Sequence, residues 1–66
     1  MRVGDVVKLP PGCCIHWSLP TGIAVLVERT PREDKLEYDW SVFVDGRLIG
    51  LGRQIEDSAE VISESR

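Results

Sequence analysis

Trp40-Ser41-Val42-Phe43-Val44-Asp45-Gly46-Arg47-Leu48-Ile49 decides the fold of this chain. Apolar residues alternate on both sides of Asp45-Gly46, and Asp-Gly is the strongest short-range signal for a two-residue hairpin, because a type I′ turn needs positive φ at both central positions. The stretch predicts one strand from about Leu36 to Val44 and another from Arg47 to Gln54. In the first, Tyr38, Trp40, Val42 and Val44 share a face and Phe43 takes the other. In the second, Ile49 and Leu51 share one face and Gly50 and Gly52 the opposite one. Alternate glycines leave that face bare, which marks a sharp bend or a close approach by another backbone or a ligand.

Towards the N-terminus, Val3 to Leu9 reads as a first strand with Val3, Val7 and Leu9 on one face and Val6 and Lys8 on the other. Pro10-Pro11-Gly12 ends it, since neither proline can donate to a ladder. Cys13 to Pro20 is expected to be a loop. It carries Cys13, Cys14, Ile15, His16, Trp17 and Leu19, and a loop that apolar folds back over the end of a barrel. Thr21 to Arg29 makes a second strand, with Ile23, Val25 and Val27 on one face and Ala24 and Leu26 on the other. Apolar residues on both faces point to a central, strongly bent strand. Thr30-Pro31-Arg32-Glu33-Asp34-Lys35 is expected as a mobile, charged connector between strands two and three.

Beyond Gln54, two readings compete. Ile55 to Ser58 forms a single helical turn and Ala59 to Ser63 a short closing strand, or Gln54 to Glu64 is one helix using Ile55, Ala59 and Ile62 at i, i+4 and i+7. The strand version is favoured, because a helix would leave the barrel unclosed. The expected architecture is all-β: a small five-stranded, partly open barrel with one short helical turn before the last strand. At 66 residues it is one domain, residues 1–66, with a small core and little room for a deep cleft.

The opening Val3-Gly4-Asp5-Val6-Val7-Lys8-Leu9, followed by Thr21-Gly22-Ile23-Ala24-Val25, resembles the start of KOW and Tudor-type domains of the SH3-like barrel class. A Gly-Asp before strand one and a Gly opening strand two recur there. The whole chain is also similar to short proteins of tailed bacteriophages, notably those infecting marine cyanobacteria. The shared layout covers Val3 to Lys8, Thr21 to Val25, Trp40 to Arg47 and Glu60 to Ser63. These are fold-making residues, so the resemblance implies an SH3-like barrel first and a phage protein second.

Charge and composition bear on partners. Eleven acidic residues outnumber eight basic ones, for a net charge of −3, and the two signs are interleaved. That disfavours nucleic acid as a partner, since such binders concentrate a basic surplus on one face. The 42% hydrophobic content is normal for a folded domain. No apolar run approaches the ~20 residues that span a bilayer, and the N-terminus lacks a signal-peptide pattern, so no membrane partner is expected. With the phage resemblance, the expected location is the host cytoplasm or the virion.

Cys13 and Cys14 are sequence neighbours, so a bond between them would staple no loop. With His16 they offer ligands that zinc prefers, but a structural site needs four and the chain holds two Cys and one His. The same trio as a Cys-His nucleophile pair would need an orienting group, an oxyanion hole and a pocket. No metal, no cofactor and no catalysis are expected. The aromatics carry more interest: Trp17, Tyr38 and Trp40 at a barrel rim can line a groove for an extended peptide or a cage for a cation. The candidate partner-binding residues are Trp17, His16, Tyr38, Arg47 and Arg53. Against this stands a plainer arrangement in which Trp40 is core, Trp17 caps the barrel end, and Arg47, Arg53, Glu56 and Asp57 form a solvated face.

Two functions follow. The first is a non-enzymatic structural or accessory phage protein that docks on a capsid or tail by protein–protein contacts. The alternative is a small regulatory or binding module, either a host-takeover factor or a KOW-like protein associated with nucleic acid or ribosomes. Unpaired sheet edges also favour self-association, because their N–H and C=O groups template another strand.

Overall fold

A computed structural model of the chain describes residues 1–31 and 38–64. The fold is the small, five-stranded, open all-β architecture expected from the sequence. Five antiparallel strands form one open sheet: β1 (Val6–Lys8), β2 (Ile23–Pro31), β3 (Tyr38–Val44), β4 (Arg47–Gly52) and β5 (Glu60–Ser63), in the spatial order β4-β3-β2-β1-β5. Two helical segments interrupt them, α1 (Pro11–Trp17) and α2 (Ile55–Ser58).

The hairpin forms as its residues require. Val44 pairs with Arg47, and Asp45 (φ 48°) and Gly46 (φ 79°) both take the left-handed conformation of a type I′ turn. Alternation then sorts the side chains: Trp40, Val42 and Val44 from β3 and Ile49 and Leu51 from β4 turn inward and are buried. Ala24 and Leu26 of β2, with Val7 and Leu9 from the β1 segment, complete that face, and Ile55 of α2 closes the core.

β2 is the central strand, and a register shift between Leu26 and Glu28 bends it. It runs on to Pro31, so Thr30 and Pro31 belong to the sheet and not to the connector; the remainder of that expected connector, 32–35, lies outside the described residues, as does the expected beginning of strand three, 36–37. β1 is shorter than expected. Gly4 takes φ 95°, and the chain turns there, with the Asp5 N–H donating to the Arg2 carbonyl at 3.1 Å. Val3 consequently stays 53% exposed instead of joining Val7 and Leu9 inside.

The segment expected as a loop is in fact the helix α1. Pro11 stands at its first turn, where a missing N–H costs nothing and the fixed φ is already helical. Its C-terminus closes in a Schellman arrangement: Ser18 takes φ 55°, its N–H donates to the Ile15 carbonyl at 3.3 Å, and the Leu19 N–H donates to the Cys14 carbonyl at 2.8 Å. Serine at a position usually held by glycine hid this stop signal.

At the other end, the strand reading is correct and the single-helix reading of Gln54 to Glu64 is not. Ala59 is extended (ψ 148°), and β5 pairs antiparallel with β1, setting Val7 against Val61. The alternate glycines behave differently from each other. A Cβ on Gly52 would collide with the folded-over side chain of Gln54, whereas one on Gly50 would meet nothing within 4 Å.

Candidate functional site

The five candidate residues separate into two groups at opposite ends of the β3–β4 hairpin. β3 has seven residues, so its ends lie roughly 20 Å apart. Trp17, His16 and Arg47 gather at the turn end; Tyr38 and Arg53 lie at the other. Among the described residues no single groove joins them.

At the turn end, α1 supplies the surface. None of its side chains is fully buried, although Cys13, Cys14 and Trp17 lean on the core. The His16 and Trp17 rings meet edge to face, with centroids 5.3 Å apart at 82°. Arg47, from the first position of β4, donates to the Trp17 carbonyl and anchors the last turn of the helix to the hairpin. Ile15, a residue the sequence reading placed over the barrel end, points out of it and is 81% exposed.

Asp45 fastens the same end from the opposite side. Its carboxylate accepts from the Thr21 hydroxyl (2.6 Å), the Thr21 N–H (3.2 Å) and the Gly22 N–H (3.4 Å). These bonds, the Thr21 hydroxyl first, hold its carboxyl below the usual carboxylate value against the opposing effect of burial.

Both thiols are free. Burial and then the neighbouring Cys14 push the Cys13 thiol up, away from the thiolate form that reacts or ligates. The Cys14 Sγ lies 3.8 Å from the Leu9 carbonyl, to which it donates. Among the described residues no three His, Cys, Asp or Glu side chains converge as a metal site.

The far end is a closed polar cluster. One carboxylate oxygen of Glu56, on α2, accepts from the Tyr38 hydroxyl at 2.5 Å and from Trp40 Nε1 at 2.8 Å. Burial pushes the Glu56 carboxyl up, but the Tyr38 and Trp40 hydrogen bonds, together with the charges of the N-terminus and Arg29, hold it below its usual value; the same Glu56–Tyr38 bond, aided by burial, pushes the Tyr38 phenol up. The Arg29 guanidinium lies 4.8 Å from the centre of the Tyr38 ring and 5.1 Å from that of Trp40. The cation seated on these aromatics is thus the chain's own Arg29, which the register places opposite Trp40. Trp40 itself is fully buried and belongs to the core. Arg53 is near enough for its charge to act on the Tyr38 phenol.

One surface feature was missed in the sequence. The outward face of the sheet carries a row of apolar side chains, Val6, Val25, Phe43 and Leu48, each the register partner of the next across β1, β2, β3 and β4. Val25, Phe43 and Leu48 are 39%, 50% and 64% exposed. Alternation puts Phe43 outside, but only the register lines it up with Val25 and Leu48. No family model, curated protein or solved structure matches the chain.

Proposed function

We propose that the chain is a non-enzymatic docking module, a structural or accessory component that attaches to a larger protein assembly through the α1 end of its barrel. The observation that carries this reading is α1 itself. A seven-residue helix is not stable alone and normally earns its place by burying an apolar face. Here the backbone is fixed by the Ser18 cap and by Arg47, yet Ile15 stands 81% exposed beside the His16–Trp17 pair. An ordered apolar and aromatic surface ringed by polar groups suits a protein partner. The net charge of −3 favours protein over nucleic acid.

The resemblance to short proteins of tailed phages suggests a capsid or tail as the assembly and the host cytoplasm or virion as the location. Mass spectrometry of purified particles tests this. The chain should be present in fixed proportion to the particle proteins, and Ile15→Ser should lower its occupancy with an unchanged melting temperature. Absence from particles overturns the assembly reading, and copurification with a host protein would instead support the regulatory alternative.

A further inference from the structure

We propose that the outward face of the sheet, centred on the row Val6–Val25–Phe43–Leu48, packs against the same face of a second copy of this chain. The inference does not use the α1 end and stands or falls separately from the docking reading. Three observations carry it.

The first is the row itself, which crosses four strands in direct register and is flanked on β2 by Ile23 and Val27, 41% and 44% exposed. The sheet uses its other face for the core, so alternation would ordinarily make this one polar. Four strands at about 4.8 Å spacing make a face roughly 19 Å wide, which runs the seven residues of β3 but narrows to the three residues of β1. That is the footprint of a small interface.

The second is Gly50. It pairs with Ser41 one step along from the Phe43–Leu48 pair and has no need of its own for glycine: it is not among the residues of positive φ, and a Cβ there would touch nothing. Glycine in a strand interior marks a bend or a close approach by a ligand or another backbone, and the open space around Gly50 leaves room for the approach. The bare position makes a notch beside Leu48 that can seat an apolar side chain from the facing sheet.

The third is charge, which selects a second copy over an unrelated partner. Lys8 lies on one flank of the row, paired with Ile23 on β2 and with Glu60 on β5, and Glu28 lies on the other, paired with Ser41. A two-fold axis running along the row exchanges the flanks and brings Lys8 of each copy towards Glu28 of the other. The face is therefore self-complementary, as a symmetric dimer requires.

Sedimentation velocity on the full chain, from ~1 to ~500 μM, tests the proposal, with micromolar association expected for an interface at the low end of the size range. The mean mass should rise towards twice that of the chain as concentration increases, and the melting temperature should rise with it. Phe43→Glu should hold the protein monomeric across the range. Gly50→Leu gives a second, independent readout. It fills the notch from a position where a Cβ meets nothing within 4 Å, so the melting temperature at low concentration should hold or rise while association weakens at least tenfold. Lys8→Glu and Glu28→Lys should each weaken association, and combining them should restore it. A chain that stays monomeric throughout overturns the proposal, as does a dimer unaffected by Phe43→Glu and Gly50→Leu.

Discussion

Asp45 accepts two hydrogen bonds from Thr21, at 2.6 Å from the hydroxyl and 3.2 Å from the backbone N–H, and so ties the tip of the β3–β4 hairpin to the entrance of β2. The residue that makes the turn thus also fixes where the hairpin sits. Its partners lie on the chain that leaves α1, so the same carboxylate steadies the candidate docking end.

This bond pair makes stability depend on pH. The folded-state pKa of Asp45 lies below its unfolded value of about 3.9, so its contribution is fully present above that value and is lost as pH falls through the folded value. Melting temperature should therefore drop on acidification below about pH 4. Glu56 is depressed as well and acts in the same window, so the informative quantity is a difference. Thr21→Val should flatten part of the acid-side drop that the unaltered chain shows; identical pH profiles would remove Thr21 as the cause.

Two glycines of similar φ should respond unequally to alanine. Gly46 (φ 79°) has open space around its missing Cβ, so Gly46→Ala should cost only the left-handed strain, about 1 kcal/mol. At Gly22 (φ 68°) the new Cβ would lie 2.6 Å from Cys14 Sγ, so Gly22→Ala should cost clearly more. Adding Cys14→Ala should recover the excess, measured as a coupling energy in a urea-denaturation cycle.

The Glu56 cluster predicts a stability loss together with a spectroscopic change. Glu56→Ala strands the buried Trp40 N–H and should cost about 1–3 kcal/mol, while Glu56→Gln keeps an acceptor and should cost less. In both variants the Tyr38 phenol should titrate closer to its usual value, read from ultraviolet absorbance against pH. An unmoved phenol would show that Glu56 does not govern it.

The two tryptophans should separate cleanly. Trp40→Ala removes a fully buried side chain and should cost about 3–5 kcal/mol, enough to unfold most of so small a domain. Trp17→Ala, at a half-buried position on α1, should leave a cooperative urea transition with a lower midpoint.

The legible parts of the fold were those written in period two. Trp40, Val42 and Val44 alternate so regularly, and Asp45-Gly46 punctuates them so plainly, that both faces of the hairpin could be assigned. The helix α1 was not legible, because its stop rests on Ser18 in a left-handed conformation and its start on a proline equally at home in a loop. Of the candidate surface, Trp17, His16 and Arg47 do come together, whereas Tyr38 was separated from them by the length of β3. The apolar row needed the pairing of Val25 with Phe43 and of Phe43 with Leu48, which no local pattern encodes.

The placement of β5 beside β1 bears on how the chain reaches its fold. The β3–β4 hairpin closes through two residues and can form as soon as they are made, at small loss of loop entropy. Val6, by contrast, meets Ser63 from nearly the far end of the sequence. Until that late partner arrives, one side of β1 is an open template, and the hairpin with β2 must hold the nascent sheet together on its own. Of the strand pairings this one spans the most sequence and so carries the largest loop-closure cost, and until it forms the free edge of β1 is open to another strand.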